Sequence, residues 1–237
     1  MLRHAWIIIL AAGLVVWWST LDNSFHYDDF HSIVDNIHLR VTRVGTDVVG
    51  AFFSDPSTFS VDADKAMYRP LLVTSFALNH ATDVWLGHGG YGVVGYHIVN
   101  IALHLGCAML VLWLAGLLGA SRRAALLAGL LFVLHPVASE PVNYISSRSE
   151  SLSVLFYLLA VCLYLRAEKG DRRWRWGTWV AMAAGLLSKS TTITLPATLL
   201  LLDVLLLSGR DLRLVGRRFV TNHLPGWIVA GAYLMIV

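Results

Sequence analysis

Apolar residues run along this chain in long unbroken blocks, and the polar residues gather between them. The first block, Ala5 to Leu21, is 17 residues long, at the lower limit of about 17 to 25 for a helix that crosses a bilayer. Arg3 and His4 precede it, as in a signal peptide, but bulky Trp17 and Trp18 stand where small residues would mark cleavage, so it reads as a retained anchor. Further blocks cover 96–118, 124–138, 152–165, 174–187 and 191–207, and a last one runs from about 225 to 237. Several are short and require tilt, or flanking Arg and Trp that reach the interface. The last is too short to span, so the chain reads as the N-terminal part of a larger bundle. The pattern predicts an all-α, polytopic transmembrane helix bundle occupying residues 1–237.

Composition excludes a soluble domain. Hydrophobic residues make up 57% of the 237 and charged ones 14%, where soluble domains carry about 25% charged. Cys107 and Cys162 each lie inside an apolar block and read as small buried hydrophobes.

The few charges sort by side. With a cytoplasmic N-terminus, the inner segments hold Arg3, Arg122 and Arg123, five bases between 166 and 175, and four between 210 and 218, which is 12 of the 18 basic residues. Nine acids fall between Asp22 and Asp83, and Glu140 and Glu150 follow the third block, so 11 of 15 acids face out. The first outer loop, 22–95, is 74 residues long, where connections beyond about 12 to 15 residues are usually functional or disordered. Its apolar patches at Val48–Phe53 and Leu71–Leu78 predict short helices on the membrane surface and an ordered cover over a site.

Ionisable groups at membrane depth are costly and usually face a cavity. Here they collect at the outer ends of the blocks: Asp28 and Asp29 after the first, Arg69 near the end of the loop, His97, Asn100 and His104 on one helical face, His135 with Glu140, Arg148 and Glu150 after the third, and Lys189 between the fifth and sixth. Taken singly, an Asp pair is a solvated loop or cap, a helical His is a structural hydrogen-bonder, and Arg69 and Lys189 are interface anchors. Their convergence on one side argues for a site. Arg69, Arg148 and Lys189 suit a lipid-borne phosphate, and Asp28 or Asp29 suits deprotonation of a hydroxyl. The set fits transfer of a sugar from a polyprenyl-phosphate donor to a hydroxyl acceptor. A phosphate leaves as an anion, so fixed cations replace the general acid, and one-step displacement inverts the anomeric centre.

Five blocks carry a resemblance: FHYDD at 25–29, YRPL at 68–71, GYHIVNIALH at 95–104, HPVASEPVNYISSRSE at 135–150 and SKS at 188–190. Together they resemble the TMTC-type O-mannosyltransferases and their bacterial relatives, which are GT-C glycosyltransferases. The resemblance implies Asp28 and Asp29 as the catalytic acidic motif, with Asp28 preferred as base. It implies that Arg69, His97, His104, His135, Glu140, Arg148, Glu150 and Lys189 border the donor pocket, and that the acceptor is a protein, glycan or lipid. Two departures are visible: Tyr27 where the family has Trp, and Ser190 where it has an acid beside the lysine. The Asp pair with nearby His leaves a divalent metal open, since spacing does not decide it. Abundant Arg, with only 3 Lys, points to a bacterium, hence the inner membrane and a periplasmic site. The rival reading is a transporter or flippase, which would place its polar groups near mid-bilayer with access from both sides.

Overall fold

The computed structural model describes residues 4–170, 172–209 and 211–237, without the side chain of Leu212. Arg3, Asp171 and Arg210 lie outside the described residues. Eleven α-helices follow in order among the described residues: α1 Ala5–Trp17, α2 Thr46–Ser54, α3 Pro70–Trp85, α4 Val93–Leu117, α5 Arg122–Leu134, α6 Ser139–Asn143, α7 Arg148–Glu168, α8 Trp174–Leu186, α9 Leu195–Leu202, α10 Leu212–Arg218 and α11 Leu224–Leu234, joined by short 3-10 and π turns. No strand occurs among them. The expected all-α bundle is present.

Four stretches among the described residues are long and apolar enough to cross a membrane: Ala5–Asp22, Val93–Leu117, Ile145–Glu168 and Ser190–Leu207. A fifth forms if α5 and the following 136–143 segment, bent by 46°, count as one. The bend has a cause in the sequence. Pro136 lacks a backbone N–H and forces His135 out of the helical region, to ψ 129°. The fourth block begins at Arg148, four residues earlier than the apolar pattern alone, because Arg148, Ser149 and Ser151 are buried inside the bundle. The sixth is not one α-helix: a 3-10 turn at Ser190–Thr194 leads into α9 and a π turn at Asp203–Leu207. The fifth, α8, and the last, α11, have 13 and 11 residues, each shorter than about 17, the lower limit for a span.

Small residues set the closest packing. Gly13 of α1 faces Leu105 and Val133, and Gly129 of α5 faces Ile9, so a methyl group at either would collide with them. These contacts draw α1, α4 and α5 into one cluster around Ile9, Trp17, Leu105 and Val133. A second cluster joins α7, α8, α9 and α11 through Tyr164, Trp179, Met182 and Leu199.

The long segment between α1 and α4 is ordered. Its two apolar patches fall inside α2 and α3, as the pattern predicts, but α3 is a 16-residue helix, twice the length of its patch. Ile33, Leu39, Phe52, Phe59 and Phe76 bury against Tyr96 of α4 and Ile145, forming a third cluster that seats the loop on the bundle. The N–H of Leu71 donates to the carbonyl of Leu187 at 3.1 Å, tying the start of α3 to the end of α8.

Candidate active site

The two aspartates do different work. Tyr27 just before them takes a left-handed φ of 40°, rare for a non-glycine residue, and the chain turns there so that Asp29 points inward and Asp28 outward. Asp29 is fully buried. Its Oδ2 accepts the N–H of His26 at 2.9 Å, and its Oδ1 accepts the N–H of Ser146 at 2.7 Å. Burial pushes its carboxyl above the usual carboxylate value, against the pull of those two donors.

Asp28 keeps its carboxylate 60% exposed while its backbone is held on both sides. Its N–H donates to the Tyr144 phenol oxygen at 2.8 Å, and its carbonyl accepts from Ser32 Oγ at 2.5 Å. His31 Nε2 lies 3.2 Å from Asp28 Oδ1, and His31 Nδ1 lies 2.9 Å from Ser60 Oγ. A carboxylate only accepts, so Nε2 carries the proton and Nδ1 accepts from the Ser60 hydroxyl when the ring is neutral. Ser60 Oγ in turn accepts the N–H of Asp62 at 3.0 Å. Lys65 Nζ stands 4.0 Å from Asp28 Oδ1. Burial also raises the Tyr144 phenol, which keeps it protonated.

Arg148, expected at the donor pocket, is instead enclosed at the junction of loop and bundle. It is fully buried. Its Nε donates to Asn100 Oδ1 at 2.8 Å, Nη2 to the Tyr96 carbonyl at 3.0 Å, and Nη1 to the Ser75 carbonyl and hydroxyl at 3.2 and 3.3 Å. The guanidinium lies over the Phe76 ring, 4.6 Å from its centroid. Every one of these partners is neutral. Asn100, oriented by Arg148, directs its amide to the carbonyls of Tyr144 and Ile145.

His97 and His104 are likewise committed. His97 Nε2 donates to the Asn23 carbonyl at 2.9 Å. His104 Nε2 donates to the Val133 carbonyl at 3.2 Å, which also accepts Trp17 Nε1 at 2.8 Å. The break at Pro136 leaves that carbonyl without its helical donor, and two side chains supply it. The shared spacing on α4 therefore places three polar groups on one face, as expected, and each serves a structural bond.

Of the remaining residues, His135 and Glu150 border a cavity. An apolar cavity of about 530 Å³ lies between α4, α5 and α7, walled by Val111, Ala128, Leu131, Phe132 and Val154, with His104, His135 and Glu150 as its ionisable members. His135 Nδ1 accepts the N–H of Val137 at 3.2 Å, which leaves Nε2 as the donor. Glu150 pairs with Lys189. The lysine that lacks an acidic neighbour at Ser190 thus finds one across the bundle on α7. Arg69, at the start of α3, donates to Ser149 Oγ at 3.4 Å and lies 5.4 Å from the Phe59 ring centroid. Burial lowers its pKa, opposed by the charge of Glu150. Glu140 is exposed beside Pro141 and makes no contact with this set that would place it there. No group of three or more His, Cys, Asp or Glu able to hold a metal ion occurs among the described residues.

The family model for dolichyl-phosphate-mannose-protein mannosyltransferase matches residues 86–237. The chain belongs to that family. Among the relatives of this mannosyltransferase-family chain, the protein O-mannosyl-transferase Tmtc2 of Drosophila melanogaster is 37% identical over 81% of the chain and 21% of its own length. Drosophila Tmtc1 is 34% identical over 85% of the chain and 23% of its own length, and human TMTC4 is 31% identical over 70% and 24%. The chain therefore spans between a fifth and a quarter of the length of these relatives. No solved structure gives a significant match.

Sequence reasoning missed Tyr144, Ser60 and Lys65 as neighbours of Asp28, and Ser146 as the partner of Asp29. Tyr144 and Ser146 lie inside the 135–150 block that carries the resemblance, but nothing in their own residue types announces a bond to a loop more than a hundred residues earlier.

Proposed function

We propose that this chain belongs to a membrane glycosyltransferase that moves a sugar, mannose in the nearest reading, from a polyprenyl-phosphate donor to a hydroxyl acceptor outside the cytoplasm. The observation that carries the proposal is the division of labour at the Asp pair: a buried Asp29 bolts the loop to the start of α7, and an exposed, backbone-fixed Asp28 is left to react. Asp28 Oδ takes the proton of the acceptor hydroxyl. The freed oxygen bonds to the anomeric carbon from the face opposite the phosphate, and the bond from that carbon to the phosphate oxygen breaks, its electron pair leaving with the polyprenyl phosphate. The product has the inverted configuration. His31 and Lys65 hold the Asp28 charge in place.

Arg69 and Lys189 supply the positive charge that a departing phosphate requires. The apolar cavity beside Glu150 suits the first isoprene units of the donor, with His135 at its mouth. His97, Arg148 and Asn100 act one layer behind, fixing the loop and α7 against each other. That commitment speaks against a proton-relaying transporter, because the polar groups on α4 are already spent on fixed bonds. Mass spectrometry of extracytoplasmic glycoproteins and glycolipids from cells with and without the full-length gene tests the reading. Loss of a hexose from a defined acceptor supports it, and an unchanged glycan profile contradicts it.

A further inference from the structure

A second constellation of charge lies at the other end of α7, 20 residues from Arg148 and so about 30 Å away at 1.5 Å per residue. There Glu168 is held between two arginines: Arg175 Nη2 donates to its Oε1 at 2.7 Å and Arg218 Nη2 to its Oε2 at 2.6 Å. Arg218 Nε also donates to both oxygens of Asp203, at 2.9 and 2.8 Å. Asp203 is fully buried and further accepts from Tyr164, Ser208 and His223. The network clamps α7, α8, the π turn after α9, and α10 together.

The clamp leaves donors over. Arg175 Nε is buried without a partner, although a buried guanidinium N–H is costly to leave unpaired. Arg175 and Arg172 both line a polar cavity of about 340 Å³, together with Arg218, Asn222 and Glu168. The same two arginines and Thr221 also border a second cavity of about 280 Å³, walled by Trp176, Trp179 and Pro225. Trp176 is 78% exposed, as aromatic residues are where a bundle meets the membrane interface. A polar chamber rich in guanidinium and an aromatic one thus share Arg172, Arg175 and Thr221 in their walls.

We propose that this pair of cavities binds an anionic phospholipid, its phosphate against Arg172 and Arg175 and its chains over Trp176 and Pro225. The two carboxylates already answer Arg218 and one face of Arg175, so a phosphate is the partner that satisfies Arg172 and the spare Nε without competing for Glu168. The aromatic chamber selects a phosphate carried on a lipid over a free one.

Native mass spectrometry of the full-length protein released from detergent tests this, with dioleoyl phosphatidylglycerol, dioleoyl phosphatidylcholine and inorganic phosphate as probes. The expected result is retention of phosphatidylglycerol over phosphatidylcholine, no displacement by millimolar inorganic phosphate, and retention reduced about fivefold by Arg172→Gln. Arg172→Gln leaves both Glu168 ion pairs intact, so its fold is secure, and Trp176→Ala gives an independent arm that weakens phosphatidylglycerol retention through the chains. Equal retention of the two lipids, unchanged phosphatidylglycerol retention in both variants, or displacement of the lipid by inorganic phosphate would each overturn the proposal.

Discussion

Asp29 Oδ1 accepts the backbone N–H of Ser146 at 2.7 Å, joining the first outer loop to the residue pair that precedes Arg148. This contact ties the acidic motif to the turn that leads into the helix carrying Glu150. Asp29→Ala leaves the N–H groups of His26 and Ser146, both in part-buried bonds, without their acceptor, at a cost of about 1–3 kcal/mol in total. Thermal unfolding of the purified protein is expected to show that loss, and Asp28→Ala is expected to leave unfolding unchanged.

The raised pKa of Asp29 gives stability a direction in pH. Its folded-state value lies above the ordinary 3.8 because burial disfavours the charge, so the folded state holds the proton more tightly than the unfolded chain. The contribution is complete below 3.8 and is lost as pH rises through the folded value. Asp29→Asn cannot titrate, and unfolding midpoints measured across the mildly acidic range are expected to lose this downward slope in the variant.

Arg148 is predicted to be a structural residue. Arg148→Met keeps much of the packing over Phe76 and Tyr96 but leaves Asn100 Oδ1 without its donor, which destabilises the fold by about 1–3 kcal/mol. Folded yield and unfolding temperature fall, and in the protein that does fold the KM for the lipid donor stays near wild type. Arg69→Ala is expected to do the reverse, raising that KM with little change in unfolding.

Side of membrane can be read by labelling single cysteines in intact cells. Thr42 is exposed in the outer segment and Lys169 is exposed at the far end of α7. Thr42→Cys is expected to react with an impermeant maleimide from outside and Lys169→Cys only after permeabilisation. Ser60 is unsuited to such a probe, since it is buried against His31.

Much of this architecture is legible in the sequence because membrane burial writes itself in long apolar blocks. The bundle and the helices α2 and α3 of the long loop follow from that alone. What the blocks conceal is depth. Arg148 and Glu150 are two residues apart on α7, which a helix of 3.6 residues per turn turns to opposite faces, but which face meets the loop junction and which meets Lys189 depends on the neighbours. The Asp pair is ambiguous for the same reason: adjacent identical side chains differ only in where Tyr27 turns the backbone. The Glu150–Lys189 pair and the Tyr144 contact depend on long-range packing, which no local pattern carries.

The central claim is that Asp28 is the base and Asp29 its support. Transfer from a polyprenyl-phosphate sugar to an acceptor, measured with the full-length Asp28→Asn protein, tests it most directly. The account predicts a fall of about 10²- to 10⁴-fold, as for loss of a general base, with membrane insertion and unfolding temperature unchanged. Transfer at the wild-type rate would contradict it.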